Sequence, residues 1–168
     1  MSEANIQYQR NPSWLYVGLT MLIAVLLTVI PVPDTIVHYW PDWITLVVFY
    51  WVLILPGHLG VMFGWMNGLI EDIVTFSLLG QHALGKALVG TVAAIAWQRF
   101  RLFSVLEKIF LVMVLQAVNI AISVWTSHLA HSTPIEGRMW LPALTTALLW
   151  PLFATVLDRF DPQLKRGK

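Results

Sequence analysis

Six apolar runs fill most of this chain, and they constrain its fold more than any other feature of the sequence. They cover about 13–30, 43–55, 59–79, 83–97, 106–125 and 140–157. A helix needs about 20 apolar residues to cross the ~30 Å hydrocarbon core of a bilayer. Only 11% of the residues are charged, against about 25% in soluble domains. The sequence therefore predicts an all-α integral membrane protein with six transmembrane helices and short loops, although the second and fourth runs are short for a full crossing.

The runs divide the chain into a polar N-terminal tail (1–12), a transmembrane domain (13–157) and a basic C-terminal tail (158–168). The first run is long for a signal peptide and ends in prolines instead of a small-residue cleavage site, so we expect it to be retained. The chain has no cysteine, which excludes disulfides, thiol nucleophiles and cysteine-bound metals. Its net charge of +1 provides no basic field for nucleic acid.

The lysines and arginines predict which side of the membrane each loop occupies. In a six-span arrangement only Lys86 and Arg138 lie on the side opposite the two termini. Because cytoplasmic loops carry an excess of Lys and Arg, both termini are predicted to be cytoplasmic. The basic residues on the terminal side are Arg10, Arg99, Arg101, Lys108, Arg159, Lys165, Arg166 and Lys168.

The third run carries a row of small residues. Gly60, Gly64 and Gly68 recur every four residues, and Asp72 is the next position on the same helix face. Small residues at this spacing let two helix backbones approach closely in lipid. The row therefore predicts a packing face, directed either within this fold or toward a partner helix or a second copy of the chain.

Polar side chains at mid-depth in the membrane are costly and often mark a functional site. Glu71 and Asp72 occupy such a position if the third run is continuous, and Asn67 lies one turn before Glu71. They indicate a proton- or ion-handling site, a buried partner contact, or a helix that breaks close to an interface. Lys86, in the neighbouring run, is a possible partner for one of the carboxylates.

The remaining polar residues suggest packing more than chemistry. Gln116 and Asn119 form a stripe on the fifth run, and in lipid such groups must find partners within the bundle. His128 and His131 have only Glu136 nearby as a third ligand, which is too little for a metal site. The sequence contains no nucleophile–base pattern and no phosphate-binding glycine loop, so we expect neither catalysis nor a cofactor.

Several short motifs follow one another after the first run. They are Pro41-Asp42-Trp43, Gly64-Trp65-Met66-Asn67-Gly68-Leu69 with Asp72, Leu79-Gly80-Gln81-His82-Ala83-Leu84, Arg99-Phe100-Arg101-Leu102-Phe103 and Leu149-Trp150-Pro151. In order and spacing they resemble the MreD family, small rod-shape-determining proteins of the bacterial inner membrane.

This resemblance implies an assembly role without chemistry. MreD proteins are non-enzymatic parts of the cell-elongation machinery. They associate with MreC, and with it link MreB filaments to the peptidoglycan polymerase RodA and a penicillin-binding transpeptidase. The resemblance also implies a fold similar to the six-helix substrate-binding subunits of energy-coupling-factor transporters. It supplies no catalytic residues, so Gly64, Gly68 and Asp72 are candidates for packing or partner contacts. Arg99 and Arg101 are candidates for cytoplasmic contacts.

Two functions are consistent with the sequence. The first is a scaffold whose helix faces hold partner spans. The second is a transport subunit that binds a small solute inside the bundle. The transport hypothesis predicts a closed polar pocket, and the short outer loops offer few groups to cap one. Its predicted lining is Asn67, Glu71, Asp72, Gln116 and Asn119.

Overall fold

The computed structural model describes residues 13–55, 59–100, 102–131 and 137–160, and within these ranges all regular secondary structure is helical. The predicted N-terminal tail, residues 161–168 of the C-terminal tail and Arg101 lie outside the described residues. A short 3₁₀ turn, Gly137–Trp140, precedes the last helix. The helices are α1 (Trp14–Val29), α2 (Asp34–Val37), α3 (Trp43–Ile54), α4 (Val61–Val74), α5 (Gln81–Phe100), α6 (Val105–His131) and α7 (Leu141–Phe160).

Helix α3 lies at the centre of the bundle, and every residue from Ile44 to Val52 is buried. Its start is fixed by Asp42, whose Oδ1 accepts a hydrogen bond from the Thr45 backbone N–H at 2.8 Å. Such a cap satisfies a donor that the first turn of a helix leaves unpaired. Midway along α3, the Phe49 ring packs edge-on against Phe100 and Trp150, with centroid distances of 5.4 and 4.9 Å. Because α3 is apolar on all sides, its neighbours can surround it completely.

Hydrogen bonds at the two ends of the bundle define the helix directions. At one end, the Tyr16 hydroxyl donates to the Leu157 carbonyl (3.0 Å) and the Tyr50 hydroxyl donates to Asp158 (2.8 Å). We call this the terminal end, since α1 begins and α7 finishes there. At the opposite, distal end, the Trp40 indole donates to the Leu27 carbonyl at 3.1 Å. Close approaches between α4 and α5, and the contacts of α6 with Phe100 at the terminal end and with Asp42 toward the distal end, give the directions of the other helices. Successive long helices therefore run in alternating directions between the two ends.

Two predicted helix limits were wrong by five residues or more. The third run was expected to be helical to Leu79, but α4 ends at Val74. The chain turns there, with Phe76 at φ 54° and Gly80 at φ +100°, both in the left-handed region that helices exclude. The fifth run was expected to end at Trp125, but α6 continues to His131. The loop predicted over 126–139 is therefore shorter than expected.

The outer surface of the bundle is strongly apolar. Leu15, Ile95 and Leu148 are 83%, 76% and 67% exposed, a pattern that suits lipid better than water. Among the described residues, two stretches, Val105–Leu129 and Gly137–Phe160, are long and apolar enough to cross a membrane. Helices α1 and α3 are apolar but shorter. These helices are consistent with membrane insertion.

Candidate functional site: a buried ion-pair cluster

The centre of the site is Lys86, on α5, which is completely buried. Its Nζ lies 2.7 Å from Asp42 Oδ2, 2.6 Å from Glu71 Oε2 and 3.0 Å from the Thr45 hydroxyl. An ammonium group has three donors, and these three oxygens surround it. The lysine thereby connects α5 to the start of α3 and to the last turn of α4.

Asp42 collects further donors on the same carboxylate oxygen. Its Oδ2 also accepts from Gln116 Nε2 at 3.0 Å and Asn119 Nδ2 at 3.2 Å, both on α6. The Asp42 backbone N–H donates to the Thr146 hydroxyl on α7 at 3.0 Å. One residue at the start of the central helix therefore contacts α5, α6 and α7 directly, and reaches α4 through Lys86. We call Asp42, Thr45, Glu71, Lys86, Gln116 and Asn119 the hub.

The hub places two carboxylates and one ammonium group inside an apolar bundle. Removing charges from water costs several kcal/mol per ion, which is offset only when the charges are paired and their other hydrogen bonds are satisfied. Lys86 and Asp42 meet this requirement through the contacts above. The Glu71–Lys86 contact is an ion pair with imperfect hydrogen-bond geometry at Oε2, and Glu71 Oε1 is 3.9 Å from His82 Nε2. The arrangement fixes five helices relative to one another.

Asp72 does not join the hub; it closes the turn between α4 and α5. Its Oδ2 accepts from the Gly80 backbone N–H, and its Oδ1 from the His82 backbone N–H, both at 2.8 Å. The His82 ring adds a contact from Nδ1 to Oδ1 at 2.9 Å. A carboxylate at this position accepts hydrogen bonds from unpaired backbone donors at the start of α5. It is also stabilised by the positive N-terminal end of the α5 dipole. The two neighbouring acids therefore have different positions. Asp72 lies at the break after α4, and Glu71 lies against Lys86.

The glycine row faces α5 of the same chain. A Cβ added at Gly64 would overlap the Lys86 carbonyl oxygen, and one at Gly68 would lie 2.6 Å from the Ala83 nitrogen. From the other helix, a Cβ at Gly90 would lie 2.6 Å from the Gly60 carbonyl oxygen. Only glycine permits backbones this close. The contact also brings Lys86 level with Glu71. The glycine row therefore positions the hub, and its face is occupied by α5 of the same chain.

The other predicted site residues fall in different places. The Asn67 side chain donates to the Phe63 carbonyl of its own helix at 2.7 Å, and Arg99 is exposed at the terminal end. Of the residues expected to line a solute pocket, Glu71, Gln116 and Asn119 contact other hub residues. Asn67 bonds within its own helix and Asp72 bonds to the turn before α5. Within the described ranges, no group of three His, Asp or Glu residues is placed to hold a metal ion.

Sequence reasoning missed Asp42 and Thr45 as members of the site. A signal was present for the cap alone: an aspartate directly ahead of an apolar run is typical of a helix N-cap. His82 was also missed, and its contacts with Asp72 and Glu71 require the turn geometry that ends α4 early. Lys86 was named as a possible partner for a carboxylate, and the structure pairs it with Glu71.

Comparison with known proteins identifies the family. A family model described as "rod shape-determining protein MreD" matches residues 8–160. The chain belongs to the MreD family. It is 26% identical over 152 residues to the rod shape-determining protein MreD of Haemophilus influenzae, a match that covers 90% of this chain and 94% of that protein. No solved structure matches the chain.

The motifs that suggested MreD now have physical roles in this chain. Asp42 of the first motif is the acceptor at the centre of the hub, and Gly64 and Gly68 of the second hold α4 against α5. Asp72 and His82 close the turn between those helices. Several residues that carry the resemblance to MreD therefore also fix the helices to one another.

Proposed function

We propose that this protein is a non-enzymatic membrane scaffold of the bacterial cell-elongation machinery. In this role it binds an MreC-type single-span partner and helps to link MreB filaments to RodA and a penicillin-binding transpeptidase. Membership of the MreD family supports the role in rod shape. The observation in the fold that carries the proposal is the hub, whose polar side chains contact one another and leave the apolar outer faces of the helices for partners.

The proposal includes a topology in the inner membrane. All six long helices cross, both termini are cytoplasmic, and the terminal end of the bundle faces the cytoplasm. Arg99, Lys108 and Arg159 lie at that end, as the positive-inside rule requires. The short α3 is enclosed by its neighbours, so its 12 residues do not have to match the bilayer thickness alone. The similarity to substrate-binding subunits of energy-coupling-factor transporters remains a prediction.

Affinity capture from the native host tests the assembly role. The tagged chain is extracted in a mild detergent, and co-purifying proteins are identified by mass spectrometry, with an unrelated multi-pass protein carrying the same tag as control. We expect the MreC-type protein of that host among the captured proteins, with RodA, the transpeptidase and MreB recovered through it. A second copy of this chain with a different tag shows in the same experiment whether the protein self-associates.

Cell shape provides the second readout. Depletion of the chain in its own host is expected to convert rods into rounded cells, and re-expression is expected to restore rods. If depleted cells keep their rod shape and the tagged chain captures none of the elongation proteins, the scaffold role is wrong.

A further inference from the structure

The His82 ring, at the start of α5, lies between two buried carboxylates at the distal end of the bundle. Its Nδ1 is 2.9 Å from Asp72 Oδ1, and its Nε2 is 3.9 Å from Glu71 Oε1. The Ser77 hydroxyl, in the turn between α4 and α5, lies 3.4 Å from Nδ1. The side chain of His82 is 20% exposed, whereas those of Glu71 and Asp72 are 9% and 0% exposed. The imidazole is therefore the most accessible of these three titratable groups.

The hydrogen bonds of Asp72 indicate which ring nitrogen carries a hydrogen. Its two carboxylate oxygens accept from the backbone N–H groups of Gly80 and His82. An ionised carboxylate can only accept, so the ring nitrogen at 2.9 Å must donate to it. In a neutral imidazole the other nitrogen, Nε2, then has a lone pair and no hydrogen. Because Nε2 faces the Glu71 carboxylate, only a second proton on the ring makes that contact attractive.

The charges around the ring favour this second proton. Among the described residues, the ring contacts Glu71 and Asp72 from α4, and Lys86, one turn along α5, holds the other Glu71 oxygen. From α3, Asp42 shares the same ammonium group. Three carboxylates thus meet one ammonium, which leaves a surplus of negative charge in the bundle. An imidazolium at His82 reduces that surplus, whereas the ammonium 2.6 Å from Glu71 repels a proton on that carboxylate.

The charge on the ring bears directly on the packing of α4 against α5. His82 and Asp72 close the turn between these helices. A Cβ added at Gly68 would lie 2.7 Å from the His82 carbonyl oxygen, so the two backbones are in contact beside the ring. Loss of the second proton removes an attraction between an α5 side chain and two α4 carboxylates at this contact.

We propose that His82 is a proton-binding site at the distal end, whose doubly protonated ring strengthens the α4–α5 turn and whose deprotonation weakens it. Imidazole is the side chain whose charge ordinarily changes between about pH 5 and 8. Because the folded chain holds a proton that the unfolded chain releases, stability falls as the pH rises. This contribution is complete at about pH 5.5, below the ordinary titration of histidine, and is lost at higher pH.

The site does not depend on the assembly role. Only the side of the membrane that it faces follows from the proposed topology, which places the distal end in the periplasm. There the ring would respond to the acidity of the medium outside the inner membrane.

Thermal unfolding of the full chain in detergent micelles tests the site. Between about pH 5.5 and about pH 8.5 we expect the midpoint to fall by about 3–5 °C, the shift that a tenfold change in the unfolding equilibrium gives for a chain of this length. In His82→Asn, the amide can replace the Nδ1–H donor to Asp72 but cannot take a second proton, so its midpoint should not change over this range. His38→Asn is the matched control, because it removes an imidazole that follows α2 at the same end of the bundle, and it should keep the fall.

Nuclear magnetic resonance of the unmodified chain covers the case in which His82→Asn does not fold. With ¹⁵N-labelled histidine, a doubly protonated ring is distinguished from a neutral one, and His82 is assigned through its backbone N–H. We expect Nε2 to lose its proton over the pH range in which the midpoint falls. A ring that is neutral throughout, an unmodified chain whose midpoint does not change with pH, or a fall that His82→Asn retains would each overturn the inference. Because these measurements use the isolated chain, such a result leaves the assembly role standing, and failure to capture partners leaves this site standing.

Discussion

At the scale of single residues, Lys86 is the charge on which the buried hub depends most. It is the ammonium group between the Asp42 and Glu71 carboxylates, at 2.7 and 2.6 Å. Lys86→Met leaves both carboxylates buried without a cation, and removing one partner of a buried ion pair costs about 3–5 kcal/mol. We therefore expect a large fall in the free energy of unfolding, measured by thermal or denaturant unfolding in detergent micelles. Lys108→Met is the control, because it is the same change at a half-buried lysine. The Lys108 ammonium lies over the Phe100 ring, and its loss leaves no buried carboxylate without a cation.

A triple variant separates charge from shape at the same site. Adding Asp42→Asn and Glu71→Gln to Lys86→Met removes all three charges and keeps similar side-chain volumes. Neutral replacement of a whole buried ion-pair network is often tolerated, so the triple variant should recover part of the stability lost by Lys86→Met. A triple variant less stable than Lys86→Met alone would contradict the charge argument.

What the sequence could predict at this scale was limited by distance along the chain. Glu71 and Lys86 belong to one hairpin, so their pairing could be anticipated from two adjacent apolar runs. Asp42 lies 44 residues from Lys86 and 74 from Gln116. Nothing in local spacing relates these positions, because they meet only after α3 is surrounded by α5 and α6.

At the scale of helices, the α4–α5 hairpin depends on the absence of side chains. A Cβ at Gly64 would overlap the backbone of Lys86, whereas a Cβ at Gly18 on α1 would meet nothing within 4 Å. Gly64→Ala should separate the two helices and destabilise the fold by about 1–3 kcal/mol or more, the range for overpacking. Gly18→Ala should be neutral or slightly stabilising, since alanine favours helix. Comparing the unfolding midpoints of the two variants checks this, and equal midpoints would rule out the close contact.

The apolar runs predicted that each helix exists, but they did not predict where α4 and α6 end. Each of the six runs contains one long helix, because apolar length is a property of local sequence. Helix α4 stops early because Asp72 accepts backbone N–H groups from Gly80 and His82. That contact joins residues across a turn, and an apolar run that continues through Leu78 and Leu79 conceals it.

At the scale of the whole molecule, the outer surface of the described bundle is apolar like most of its core, and a small cluster of polar residues lies inside. The hub holds charged and amide side chains at the interior, while Leu15, Ile95 and Leu148 project outward. In lipid the outward side chains cost nothing, and helix association depends on close packing and internal hydrogen bonds. The glycine row and the hub supply these two contributions. Such an interior with apolar outer faces would suit the proposed assembly role, in which partners approach from the side within the membrane.

The alternating helix directions lead to a test of the proposed topology. Reporter fusions are made after Leu79, Leu102 and Gly137, which follow α4, α5 and the loop after α6. If all six long helices cross, the fusion after Leu102 should report cytoplasm and the other two periplasm, because Arg99 and Lys108 hold their loop on the cytoplasmic side. Reversing Arg99 and Arg101 to glutamate should weaken that preference and raise the periplasmic signal after Leu102. A periplasmic signal at this site in the unmodified chain would contradict six crossings.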